Sequence, residues 1–177
     1  MTTDNVHQDG PFTESLQSAY DKLLSSGMIA QQQNLRLINA FFMQSQQVEP
    51  YWQFGYFDDE TENITTYVMK PEGIIAQKPD ETMKEPESVI HSLDMEGVTI
   101  FEVEAHKIAM GVVTIEYNAI PVSVQIYLLQ NDAELGPIWN ITFITNTYEV
   151  VNVKIDVREG VVLRHKKHSL LDMQAQN

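Results

Sequence analysis

Apolar positions along the chain follow two spacings, one helical and one extended. Phe12, Leu16, Ala19, Tyr20, Leu23 and Leu24 recur at three- and four-residue intervals, with Thr13 placed to cap the start and Gly27 to end the run, which predicts a helix from Phe12 to Ser26. Ile100, Phe101, Val103, Ala105, Ile108 and Ala109 repeat the spacing between Gly97 and Gly111 and predict a second helix from Thr99 to Met110. After each helix the period drops to two, as a half-buried antiparallel sheet requires. In the second half Val113, Ile115 and Tyr117 alternate with polar residues, and Asn118 to Pro121 reads as a turn. Val122, Val124, Ile126 and Leu128 then alternate with Ser123, Gln125 and Tyr127. Trp139, Ile141 and Phe143 follow, then Val151, Val153, Ile155 and Val157, and last a short strand from Val161 to His165. The first half offers Leu35 to Met43, Tyr51 to Phe57, Ile64 to Met69 and Gly73 to Lys78, with Asp58 to Asn63 as a solvated hairpin loop.

The halves also resemble each other. Laying Pro50 to Lys78 over Pro137 to His165, at an offset of 87 and without a gap, matches Pro50 with Pro137, Trp52 with Trp139, Glu62 with Glu149, Glu72 with Glu159 and Gly73 with Gly160. Apolar pairs such as Phe54/Ile141, Tyr56/Phe143, Ile64/Val151 and Val68/Ile155 fill the spaces between, so an internal duplication is expected.

The fold class expected is therefore α+β: two tandem helix-plus-four-strand units forming antiparallel sheet or sheets covered by helices. The expected organisation is a loose N-terminus over 1–11, a first repeat over 12–78, a Pro- and charge-rich linker over 79–87, a second repeat over 88–170 and a tail over 171–177. A unit of about 75 residues buries little core alone, which argues for one domain with internal pseudo-symmetry.

Pro137-Ile-Trp139, Asn152-Val-Lys-Ile-Asp156 and Glu159-Gly-Val-Val162 resemble the closing strands of PepSY and PepSY-like domains, and the helix carrying Glu104-Ala105 and Ile108-Ala109 is similar to that family's helix. The fit is closer over the second half; in the first, Met69 stands where Asp156 stands in the second. The tandem arrangement also resembles the beta-lactamase-inhibitory-protein-like architecture. The resemblance implies a propeptide, inhibitory or binding module, not a catalyst.

Composition narrows the partners. A net charge of -14, from 25 Asp and Glu against 11 Lys and Arg, repels phosphate backbones and anionic membranes, so neither nucleic acid nor membrane is expected as a partner. With no Cys there is no thiolate nucleophile, disulfide or Cys-held metal. The first ten residues carry neither a basic nor an apolar leader segment, and a cytoplasmic location is the expectation.

Little in the sequence points to bond-breaking chemistry. HExxH, GxSxG, GxGxxG and phosphate-loop patterns are missing, and no enzyme activity, cofactor or metal is expected. Glu102, Glu104 and His106 lie close on one predicted helix and read as a solvated face. Arg164-His-Lys-Lys-His168, the one basic run, reads as an edge strand protected by charge, with a phosphate or acidic-partner contact as the alternative.

The repeat assigns side chains to faces. If Trp139, Ile141, Phe143, Val151, Val153 and Ile155 face the core, the opposite face of the second half is mostly polar, with Ser123, Gln125, Asn140, Thr142, Asn152 and Lys154. In the first half the corresponding outer residues are Ile38, Phe42, Tyr51, Phe57, Tyr67 and Met69, an apolar and aromatic face of the kind that interfaces concentrate. The expected function is a non-enzymatic protein-binding module, inhibitory or chaperone-like, docking through this face on a protein partner or a second copy. The alternative is a small-molecule-binding protein or minor hydrolase with a pocket between helix and sheet, using Glu102 or His106 as its polar group.

Overall fold

A computed structural model describes residues 10–29, 34–77, 80–81, 89–118 and 121–170. Helix α1 (Leu16–Ser25) is followed by strands β1 (Leu35–Gln44), β2 (Gln53–Asp58), β3 (Asn63–Lys70), β4 (Gly73–Ala76) and the two-residue β5 (Asp80–Glu81). A single 3-10 turn, Met95–Gly97, precedes helix α2 (Glu102–Tyr117) and strands β6 (Val122–Asp132), β7 (Gly136–Thr145), β8 (Glu149–Asp156) and β9 (Val162–Ser169). The strands form one antiparallel sheet in the order β4-β3-β2-β1-β6-β7-β8-β9, with β5 added to β3 beside β4.

This overturns the expected architecture of two tandem helix-plus-four-strand units. The protein is mainly one large sheet carrying two helices, and its midline is the pairing of Asn39–Gln44 in β1 with Gln125–Gln130 in β6. The reason is physical: four-strand units would each leave a long, apolar edge strand unpaired, and pairing β1 with β6 removes both edges at once. The expected linker and tail lie outside the described residues, apart from 80–81.

Helix boundaries moved as well. Ser15, not Thr13, caps α1, its side chain accepting from the Ser18 N–H. The predicted strand at Val113, Ile115 and Tyr117 is the last turn of α2, which runs through Gly111 and stops at Asn118 in the left-handed conformation. Buried Glu102, Ala105, His106, Ala109 and Val113 form a stripe of helical spacing, while Ile115 is exposed. A three-residue alternation fits either structure, and here the longer helical stripe decided.

Both helices pack on one face of the sheet. The second-half core face behaves as expected: Trp139, Ile141, Phe143, Val151, Val153 and Ile155 are fully buried. Trp52 and Trp139 lie with ring centroids 6.4 Å apart beneath the helices. The Trp52 indole N–H donates to the Glu14 carbonyl at 2.9 Å and that of Trp139 to the Ile100 carbonyl at 2.8 Å, so each indole ties the chain just before a helix to the sheet. Among the described residues no helix is long and apolar enough to cross a membrane.

Candidate functional site

The six residues expected on an open docking face do not form one. Phe42, Tyr67 and Met69 belong to the helix-covered core, at 0%, 2% and 7% exposure. Phe57 is buried on the opposite side of the sheet, where the Arg36 guanidinium lies 4.8 Å from its ring centroid. Ile38 is buried at an irregularity of β1, and only Tyr51 is half-buried, its hydroxyl donating to Glu49.

Two local events moved these side chains. The β1–β2 register shifts between Leu37 and Asn39, so Leu37 and, beyond the shift, Ala40 and Phe42 share the core face. The turn from Asp58 to Asn63 has one more residue than that from Thr145 to Glu149. Phe54 consequently faces Tyr67, whereas the 87-residue offset from the Ile141–Val153 pair would set it opposite Thr66, and a one-residue slip exchanges the two faces of a strand.

The polar group that does stand out belongs to α2 and β6. The helix face expected to be solvated splits: Glu104 is exposed, but Glu102 and His106 are 3% and 4% exposed. His106 lies against the sheet, with Nδ1 2.7 Å from the Tyr127 hydroxyl, and that hydroxyl donates to Gln125 Oε1 at 2.7 Å. Because the Tyr127 proton goes to the amide oxygen, which can only accept, His106 Nδ1–H is the donor of the first bond. The chain is held in an aromatic setting. Phe12 lies 4.8 Å from the Tyr127 ring and 6.4 Å from His106, and Phe143 lies 6.4 Å from His106 on another side. Burial pushes the Tyr127 phenol far above its ordinary range, so the hydroxyl keeps its proton and its donor role.

Above His106 and Gln125 is a cavity of about 480 Å³, walled by Gln44 at the end of β1 and Ser45 and Gln46 after it, by Ser123 at the start of β6 and by Asn146 after β7. Its described lining holds amides, hydroxyls, a proline, a glycine, a valine and the one imidazole, and no Asp, Glu, Lys or Arg. Neither serine is set up as a nucleophile. The Ser123 hydroxyl donates to the Ile144 carbonyl at 3.0 Å, and Ser45 Oγ accepts from the Gln47 and Val48 N–H groups.

Glu102 sits one turn earlier on α2, buried, with Oε2 lacking a hydrogen-bond partner among the described residues. Burial raises its carboxyl above the ordinary range, against the opposing pull of its own backbone N–H and that of Leu16 at the start of α1. A second, more open cavity of about 820 Å³ lies beside α1, lined by Tyr51, Trp52, Met69 and the Glu14–Lys22 ion pair. Among the described residues no three His, Asp or Glu side chains converge to hold a metal.

Ser123, Gln125 and Tyr127 were expected to face water. β6 is the strand hardest to phase, because Val124, Ile126 and Leu128 are apolar on one face and Tyr127 and Leu129 on the other. Tyr127 and Leu129 are the fully buried ones, and residue type does not separate Leu129 from Leu128.

No family model and no curated protein matches the chain. Among solved structures it is similar to a crystal structure described as a "putative lipoprotein" from Clostridium difficile 630, at 14% identity and a TM-score of 0.61, covering 92% of this chain and 98% of that one. The likeness establishes a shared fold.

Proposed function

We propose that the protein is a non-enzymatic binding protein whose ligand is a small neutral molecule rich in hydroxyl or amide groups, held in the cavity between α2 and the β6 end of the sheet. The observation that carries this reading is the buried His106–Tyr127–Gln125 chain opening onto a cavity whose described lining is uncharged. A volume of about 480 Å³ is in the range of small-ligand pockets. An uncharged wall of amides and hydroxyls favours a ligand that offers several neutral donors and acceptors over an ion, which would lose its hydration without a counter-charge. A binding role also agrees with what the PepSY-like resemblance implies. Protein docking through Ile38, Phe42, Tyr51, Phe57, Tyr67 and Met69 lacks this support, since five of the six side chains are buried.

Glucose, N-acetylglucosamine and a blocked dipeptide amide, titrated at millimolar concentration into 15N-labelled protein, provide the test. At least one is expected to shift the amides of Ser123, Gln125 and Asn146 together. Gln46→Trp, placed in an exposed residue at the cavity mouth, is expected to abolish the shifts while leaving the circular dichroism unchanged. Shifts scattered over the surface, or none with any of the three, would count against the reading.

A further inference from the structure

The sheet face opposite the helices carries a second polar concentration, at the β9 end. Asn152 donates to Asn140 Oδ1 at 2.6 Å and to Thr142 Oγ1 at 2.9 Å, giving a polar floor across β7 and β8. Lys166 lies directly across from Asn152, Arg164 from Lys154 and His168 from Val150, so three basic side chains of β9 rim a groove of about 350 Å³. Lys154 and Arg164 are occupied, by Asp132 and Glu134, each at 2.9 Å. Lys166 and His168 make no ion pair or side-chain hydrogen bond among the described residues.

β9 is also the last strand of the sheet, and Leu163 to Lys167 are exposed. An antiparallel edge strand turns half of its backbone N–H and C=O groups away from its neighbour, a ready template for another strand. Charged side chains, lysine above all, discourage unwanted pairing at such an edge. Here Arg164 to His168 gathers three of the chain's 11 Lys and Arg and two of its five His in one strand of a molecule with net charge -14. On the helix side His165 and Lys167 are engaged, by Tyr117 and Glu149, which leaves the open face as the one with spare positive charge.

We infer that β9 is a docking edge for an extended acidic peptide segment, which adds as a further strand and places its carboxylates over Lys166 and His168. Backbone pairing supplies affinity and the basic groove supplies the choice of sequence. Two copies of β9 cannot serve each other in this way, because pairing them opposes like charges. The strongly negative remainder of the molecule disfavours nucleic acid.

The probe is a fluorescent, end-blocked heptapeptide alternating Glu with Val, followed by anisotropy against the full chain. Binding is expected to weaken by about tenfold or more between low and physiological-to-high salt. It is expected to weaken by about tenfold or more in Lys166→Glu, a change at an exposed residue that is expected to leave the unfolding midpoint unchanged. The Gln-for-Glu peptide, and the Glu peptide N-methylated on alternate amides, are expected not to bind. Equal binding of the Gln peptide would overturn the charge argument, and equal binding of the N-methylated peptide would overturn strand addition. Displacement of the peptide by an equal concentration of inorganic phosphate would make the groove a plain anion site. Absence of peptide binding, with or without a concentration-dependent mass of the protein alone, would also refute the inference.

Discussion

Replacing Phe42 by alanine separates the two roles that its sequence position allows, docking residue or core residue. The ring is fully buried, with centroids 5.0 Å from Phe12, 5.0 Å from Trp52 and 6.2 Å from Tyr127. Its removal forfeits the transfer free energy of a whole aromatic side chain and leaves a cavity under α2 and the N-terminal segment, a loss of about 3 to 5 kcal/mol. That is a large share of the roughly 5 to 15 kcal/mol by which a domain of this kind is stable. With a urea dependence of about 2 kcal/mol per molar, the unfolding midpoint should fall by about 2 M. Tyr51→Ala, at a half-buried position, should cost about 1 kcal/mol or less. The assay is equilibrium urea unfolding followed by tryptophan emission, which reports this region directly because Trp52 touches the altered site and Trp139 lies beside it. A Phe42→Ala midpoint that matched the wild type, or that fell no further than that of Tyr51→Ala, would refute the packing argument and restore the open-face reading.

Two further outcomes follow from the helix that carries the site. Because burial raises the Glu102 carboxyl in the folded state, the stability linked to it is fully present below the unfolded-state value and is lost as pH rises through the raised folded-state value. Glu102→Gln should therefore match the wild type near pH 4 and be the more stable of the two at pH 8, as thermal melts across that range would show; parallel curves would refute it. Gly160 has φ +69°, and a Cβ there would lie 3.1 Å from Ile108 Cδ1 and 3.3 Å from Ile100 Cδ1. Gly160→Ala should lower stability in chemical denaturation by about 1 to 3 kcal/mol, from left-handed strain together with crowding against α2. A neutral result would mean that the turn before β9 adjusts freely.

Much of the local structure was legible in the residues. The helical spacing around Leu16 to Leu24, the alternation from Val151 to Val157, and the burial of Trp139, Ile141 and Phe143 all needed only period and residue type. The end of α2 and the faces of the first half did not follow from period alone. Val113, Ile115 and Tyr117 satisfy a strand alternation and a helix end alike, and the choice fell to contacts with strands far along the chain. In β1 and β3 a register irregularity and one extra turn residue reversed which side chains faced inward, and with them the set expected to dock a partner.

Amino-acid order alone decided that Leu16 to Leu24 coils and that Val151 to Val157 extends, that the chain holds no thiol, and where positive charge collects in an acidic chain. Tertiary structure alone decided that the strands of both halves would merge into one sheet, that Phe42, Tyr67 and Met69 would lie inside, and that His106, Tyr127 and Gln125 would meet beside a cavity. The physical reason is that period specifies a side chain's direction only within its own element. Pairing of distant strands, bulges and turn lengths set the phase between elements, and a phase error of one residue exchanges inside for outside.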